Sequence, residues 1–301
     1  MQLVWFGESS CSEAALVGGK TANLSKLAST YRVPPGFCVT THACATAREP
    51  GVEAHAEERM NPSLYDALAQ AYEALGQRVG DTALTVAVRS SAADEDGVDN
   101  SFAGQHETFL NISGVDEVAA AVQRCWASAR SPRALEYRRL NGLPEDGVRL
   151  GVLVQQLVAA DVSAVVFSAN PVTGCRDEVV INASWGLGES IVGGSVSPDT
   201  YRVRKSDLTL LTRQIGDKRR MTVPVPGGTR EVEVPRLLAR EPVLTGEQCA
   251  EVAALAQSLE QTMGWPVDVE CAYRAGTLYL LQCRPITTLH EPAASRNSDV
   301  A

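Results

Sequence analysis

Aromatic side chains are scarce, 5% of 301 residues, and cations are outnumbered, 27 Lys and Arg against 36 Asp and Glu, for a formal charge of −9. With few stacking platforms and no excess of positive charge, nucleic acid is excluded as the main partner, because that affinity rests on cations neutralising phosphates. A few converging cations would still suffice for a nucleotide. No apolar run approaches the ~20 residues of a membrane span, so no membrane association is expected. The N-terminus, MQLVWFGESS, lacks the basic region and long apolar stretch of a signal peptide. The expected location is the cytoplasm. Eight cysteines are present without a CxxC pair or a Cys/His metal spacing, and several, such as Cys125 and Cys271, sit in apolar runs. They are expected to be reduced and structural.

What is there is the composition of a globular protein, 45% hydrophobic and 21% charged, without internal repeats. Asn61-Pro62 reads as a helix N-cap and first-turn proline before Leu64, Leu68, Ala71 and Leu75 at helical spacing. Asp116 opens a second helix carrying Val118, Val122 and Trp126. Ser131-Pro132 opens a third, closed by Gly142. Thr245 and Gln248 make a capping box before Val252, Leu255, Ala256 and Leu259, with Gly264 past the end. Strand-like runs lie at Leu84–Val88, Leu150–Val158, Ala164–Ser168, Val179–Ala183, Val267–Tyr273 and Leu278–Cys283. The elements interleave without a strict βαβ rhythm, which favours α+β in two lobes. The Arg/Pro/Gly-rich stretch 212–242 reads as a loop or irregular hairpin, and the tail from Glu291 has no periodicity.

Several segments have the chemistry of anion binding. Gly18-Gly19-Lys20-Thr21 resembles the end of a phosphate-binding P-loop, but the earlier glycine that loop needs is replaced by Ala14 and no strand feeds it. It remains a glycine pair that lets a backbone approach a ligand within reach of a lysine, or simply a turn. Val88-Arg89-Ser90-Ser91 runs from an apolar strand into a cation and two hydroxyls, followed by Ser101-Phe102-Ala103-Gly104-Gln105; arginine offers a bidentate phosphate contact. The alternative is a polar turn. Trp185-Gly186-Leu187-Gly188-Glu189 is a glycine-rich turn with no clear helix-opening signature.

Val267–Cys271 and Leu278–Arg284 flank a turn at Ala275-Gly276-Thr277. A three-residue loop there pairs Glu270 with Gln282 and Asp268 with Arg284. Period-two alternation then sends those four polar residues to one face and Val267, Val269, Cys271 and Leu281 to the other. Two acids, an amide and an arginine on half-apolar strands suit a hard divalent cation and phosphates. A solvated sheet face with a cross-strand ion pair is the other reading.

Taken in order, these motifs, together with Val33-Pro34-Pro35-Gly36-Phe37, Gln155-Gln156-Leu157-Val158, Phe167–Gly174 and Gln282-Cys283-Arg284-Pro285, resemble the ATP-grasp nucleotide-binding domain of the phosphoenolpyruvate synthase, pyruvate phosphate dikinase and rifampicin phosphotransferase family. The match covers about residues 1–289 and rests on seven motifs in register. The resemblance implies a two-lobed α+β ATP-grasp fold, with lobes at 1–157 and 158–289, a nucleotide cleft between them and a disordered tail at 290–301. It implies ATP and Mg²⁺ as cofactors. Lys20, Arg89 and Arg284 would contact phosphates and serve catalysis, with Ser91, Ser101 and Gly104 in a closing loop. Gln156, Leu157 and Val158 would receive adenine, with Glu189 near the nucleotide and Asp268 beside Arg284. Glu270 and Gln282 would hold the metal.

Members of that family pass the phosphoryl group through a histidine on a swivelling domain. The four histidines here, His42, His55, His106 and His290, have no Thr-Ser-His-Ala context. The expectation is therefore an ATP-dependent phosphotransferase acting directly on a small-molecule acceptor, from a self-contained chain or a piece of a longer one. The alternatives are the ATP-binding half of a split system with a separate phosphohistidine carrier protein, ligase chemistry through an acyl phosphate, or a non-catalytic nucleotide-binding module.

Overall fold

The computed structural model describes residues 2–46, 60–92, 108–140 and 150–289. A first antiparallel sheet contains β1 (Leu3–Trp5), β2 (Gly36–Val39), β3 (Val86–Ala92), β4 (Thr108–Ile112) and β5 (Leu150–Gln156), in the order β1-β2-β5-β3-β4. A second contains β6 (Val162–Phe167), β7 (Glu178–Trp185), β8 (Asp199–Arg204), β9 (Leu210–Gln214), β12 (Val267–Arg274) and β13 (Thr277–Pro285), in the order β13-β12-β6-β7-β8-β9. Between Gln156 and Val162 the chain leaves one sheet and enters the other. A separate hairpin pairs β10 (Arg220–Val225) with β11 (Gly228–Glu233). The helices are α1 (Ala14–Val17), α2 (Gly19–Leu27), α3 (Thr41–Thr46), α4 (Pro62–Val79), α5 (Val115–Ser128), α6 (Pro132–Leu140), α7 (Glu189–Val192) and α8 (Gly246–Met263). The architecture is α+β, as expected. Among the described residues no helix is long and apolar enough to cross a membrane.

Local chemistry accounts for the long helices. Asn61 caps α4 by accepting from the Ser63 amide at 2.9 Å, and Pro62 occupies the first turn, where its missing N–H costs nothing. Leu64, Leu68, Ala71 and Leu75 are all buried, packing α4 with α5 over the first sheet. Thr245 and Gln248 form the full capping box of α8, which ends on left-handed Gly264. Val252, Ala253, Ala256 and Leu259 bury against the second sheet. That second core also takes Leu24 and Leu27 of α2, so the start of the chain packs against its last strands. The helix expected from Asp116 begins one residue earlier, with Asp116 and Glu117 in the first turn, where acids suit the helix dipole. Gly142 and the tail at 290–301 lie outside the described residues.

Three local expectations are corrected. The stretch 212–242 holds a regular hairpin; its alternation is hidden because β11 is largely exposed and β10 carries Pro224. The strand expected to end at Val88 runs on through Arg89, Ser90 and Ser91 to Ala92, paired with β5, so the alternative of a polar turn falls. The turn between β12 and β13 has two residues, not three. Ala275 and Gly276 both have positive φ, 48° and 76°, which suits a tight hairpin turn. A bulge between Glu270 and Cys271 absorbs the missing residue and restores Asp268 opposite Arg284 and Glu270 opposite Gln282. Beyond the bulge the faces shift by one, so Leu280 enters the core and Leu281 does not.

None of the eight cysteines is in a disulfide. Burial pushes Cys11 up to about 11 and Cys271 up to about 12, which keeps both protonated and inert at neutral pH.

Candidate functional site

The start of α2 is pressed against β3. Gly18 has φ +82°, and a Cβ there would collide with the Ser91 carbonyl and hydroxyl. The Thr21 amide donates to Ser91 Oγ at 3.1 Å. Gly18 is therefore needed for close packing, and Ser91 serves as a strut for the helix. Lys20, one residue further, lines a narrow recess with Arg89, Ser91, Leu281 and Gln282.

That recess shares Arg89, Leu281 and Gln282 with a larger cleft between the two sheets. Arg89 reaches from β3 towards the opposite sheet. Its Nη1 donates to the Leu281 carbonyl at 3.2 Å, and its Nη2 lies 3.7 Å from Glu270 Oε2. Leu281 is the residue that the bulge leaves out of the ladder, so its carbonyl is turned to this use. The Arg89 Nε is buried and finds no partner among the described residues. With only 14% of the side chain exposed, that is a costly arrangement for a guanidinium unless a ligand completes it.

The hairpin splits into two rungs with different fates. Glu270 and Gln282, directly opposite one another, face the cleft. Asp268 and Arg284, one rung along, close on each other: Arg284 donates from Nε and Nη2 to Asp268 Oδ2, both at 2.8 Å. Burial pushes the Asp268 carboxyl above the usual carboxylate range; Arg284 opposes that shift, and neighbouring Glu270 adds to it. Neither Asp268 nor Arg284 lines the cleft surface that Glu270 and Gln282 occupy.

Gln156, Leu157 and Val158 form the connection between the sheets and line the other end of the cleft. Their backbone is tied down: the Gln156 amide donates to the Pro35 carbonyl and the Leu157 amide to the Thr85 carbonyl, both at 2.9 Å. Leu157 packs with Ala87, Leu110 and Leu187 into an apolar wall. Glu189 opens the short helix α7, a turn the sequence did not signal. Its Oε2 is buried without a partner among the described residues. Ser101 and Gly104 lie outside the described residues.

The structure thus brings Lys20, Arg89, Ser91, Gln156, Leu157, Val158, Glu189, Glu270 and Gln282 around one continuous cleft, apolar at one end and cationic at the other. Sequence reasoning missed Leu110, Leu187 and Leu281. Leu110 gives no signal, Leu187 enters only as part of the glycine-rich turn, and Leu281 is expected on the core face, from which the bulge removes it. Among the described residues there is no group of three or more His, Cys, Asp or Glu able to cage a metal. Glu270 and Gln282 offer a carboxylate and an amide oxygen, a donor set that suits Mg²⁺ when substrate phosphates complete the shell.

Residues 52–300 match the family model for the pyruvate phosphate dikinase AMP/ATP-binding domain. The phosphoenolpyruvate synthase of Pyrococcus furiosus is 37% identical over 98% of this chain and 45% of its own length. A rifampicin phosphotransferase from a Streptomyces species is 39% identical over 95% of this chain and 36% of its own. The chain therefore spans less than half the length of these relatives. Among solved structures, D-alanyl-alanine synthetase A from Vibrio cholerae aligns over 93% of this chain and 56% of its own at a TM-score of 0.37 and 14% identity, too remote to bear on the argument. The family match and the cleft agree: the chain belongs to the pyruvate phosphate dikinase AMP/ATP-binding domain family.

Proposed function

We propose that this protein is a Mg²⁺-ATP-dependent phosphotransferase that delivers a phosphoryl group directly to a small-molecule acceptor, with lobes at 1–157 and 158–289 enclosing the nucleotide. The observation that carries this reading is Arg89, a part-buried guanidinium with a buried, orphaned Nε, held loosely beside Glu270 where a phosphate would complete it. Adenine would lie against Leu157, Leu110 and Leu187 at the Gln156–Val158 connection. The unpartnered Glu189 oxygen at that end suits a hydroxyl donor of the sugar. Phosphates would extend towards Lys20 and Arg89, beside Ser91 at the start of α2.

Glu270 and Gln282 would hold Mg²⁺, which supplies charge neutralisation and alignment of phosphate oxygens. The protein's own part is positional and electrostatic. Arg89 and Lys20 would offset the charge on the phosphates, while Arg284, held by Asp268 outside the cleft lining, would add its charge only from behind Glu270 and Gln282. Charge stabilisation set in place before reaction needs no reorganisation at the moment of transfer.

The second reading, a separate phosphohistidine carrier as the immediate acceptor, is favoured by one observation: the relatives are more than twice as long as the part this chain matches. Chromatography of nucleotides after incubation with Mg²⁺-ATP and a panel of hydroxyl, amine and carboxylate acceptors separates the readings. Acceptor-dependent release of AMP or ADP supports direct transfer. Phosphohistidine on an added carrier domain of a relative, with no small-molecule turnover, supports the second. Tight nucleotide binding with neither reaction leaves a regulatory module.

A further inference from the structure

The β10–β11 hairpin is tied down at three points along its length. At its root, Lys218 is fully buried, donating to Asp199 Oδ1 at 2.5 Å and to the Gly216 carbonyl at 3.1 Å. Half-way along β10, the Thr222 carbonyl accepts from the Leu187 amide at 2.9 Å. Gly186 lies so close to the same carbonyl that a Cβ would collide with it. At its tip, the side chain of Asn111 donates from Nδ2 to two carbonyls that flank the turn, Val225 at 2.6 Å and Gly228 at 2.9 Å.

Asn111 belongs to β4 of the first sheet, whereas the root of the hairpin is fixed to the second. Asn111 also has φ +60°, a conformation that costs a non-glycine residue free energy and persists only where surroundings enforce it. It sits in the irregular stretch of β4, where the register against β3 shifts between Val86 and Val88. Such irregularities re-aim side chains; here the amide is aimed at the hairpin. Its neighbour Leu110 meets Leu187, which the middle of the hairpin holds, in the apolar wall of the cleft.

We infer that the β10–β11 hairpin is a strap across the cleft, and that Asn111 is a positioning residue whose clasp sets the separation of Leu110 and Leu187 and thereby the affinity for the nucleotide base. The inference rests on reading the cleft as a nucleotide site. Asn111 touches no phosphate and takes no part in transfer.

Reciprocity supplies a test on the unaltered protein. If the clasp and the nucleotide are coupled, Mg²⁺ with a non-hydrolysable ATP analogue must slow amide exchange in residues 220–233, since each stabilises the other's bound state. Two substitutions complete the test. Asn111→Gly keeps the backbone conformation without strain and removes the donor. Asn111→Asp keeps the shape but faces two carbonyls with an acceptor. Both are expected to speed exchange in the hairpin and to weaken binding of the analogue about ten- to thirtyfold, the worth of two neutral hydrogen bonds. In turnover the KM for ATP is expected to rise with kcat unchanged, as for a loss of uniform binding. Unchanged exchange on analogue binding to the unaltered protein would overturn the inference. So would unchanged affinity in a folded variant whose hairpin exchanges faster, because the clasp would then be structural alone. If the unaltered protein binds no nucleotide, the proposed function fails instead, and titration of that protein with the analogue distinguishes the two failures.

Discussion

Two of the charged pairs inside this molecule differ in how completely they are satisfied. Asp199 and Lys218 are both fully buried, and every polar atom is answered. Asp199 accepts from Lys218, from the Gly216 and Val243 amides and from the Tyr201 hydroxyl. Arg89 and Glu270, by contrast, stand 3.7 Å apart with a nitrogen left over and a cleft beside them. Removing a charge from water costs several kcal/mol, recovered only when its hydrogen bonds are made. A saturated pair is therefore scaffold. An unsaturated one is an energetic debt that a ligand can settle, and that difference separates the anchor of the strap from the candidate site.

The comparison breaks if the two pairs respond alike to substitution. The largest effect is expected from Lys218→Met, which strands the Asp199 carboxylate in the interior and should cost about 3–5 kcal/mol in urea denaturation. Arg89→Ala should lower phosphotransfer by on the order of 10²-fold or more, while the urea midpoint moves by less than the Lys218→Met shift. A third pair sharpens the contrast. Burial raises the Glu178 carboxyl, but the Arg202 fork and the Asn170 amide outweigh it and hold the group below its ordinary value near 4.5. A folded-state value below the unfolded one stabilises the protein above about pH 4.5, and that stability is lost as pH falls through the lower folded value. Urea midpoints of the protein and of Glu178→Gln should therefore draw together as pH falls below the ordinary value of 4.5 and separate towards neutrality. The smallest stability effect is expected for Glu270→Gln, under about 1 kcal/mol because the pair is loose, with the Mg²⁺ dependence of nucleotide binding weakened in a metal titration.

Much of the fold was legible where local chemistry and tertiary packing agree. Asn61-Pro62 and the Thr245–Gln248 box announce α4 and α8 because caps are local devices. The pairing of Glu270 with Gln282 was read from a three-residue turn, and it survived that wrong length because the bulge compensated. The bulge itself was not legible: nothing in Leu280-Leu281 says which leucine enters the core, and Arg89's carbonyl partner depends on that choice. Strands β9 to β11 escaped because much of their surface is wet, which removes the apolar period, whereas β8 does alternate but buries the charged Asp199 among its inward positions. Asn111 gave no signal, since one asparagine in a polar stretch becomes a clasp only when the chain brings a hairpin more than a hundred residues later against it. Sequence places donors on faces, and tertiary structure decides which of them meet.

The burial of Leu24 and Leu27 beside Val267 and Cys283 has a consequence for synthesis. Tyr31 also reaches Ser258 and Thr262 at 2.8 Å, and the Arg32 carbonyl accepts from the Leu280 amide. On the ribosome, the apolar face of the earliest helices must wait until nearly the last described strand has emerged before its packing partners exist. Such long-range closure is slow and leaves adhesive surface uncovered meanwhile. Emergence of β12 and β13, rather than growth of the first sheet, therefore marks the point at which the second core can close.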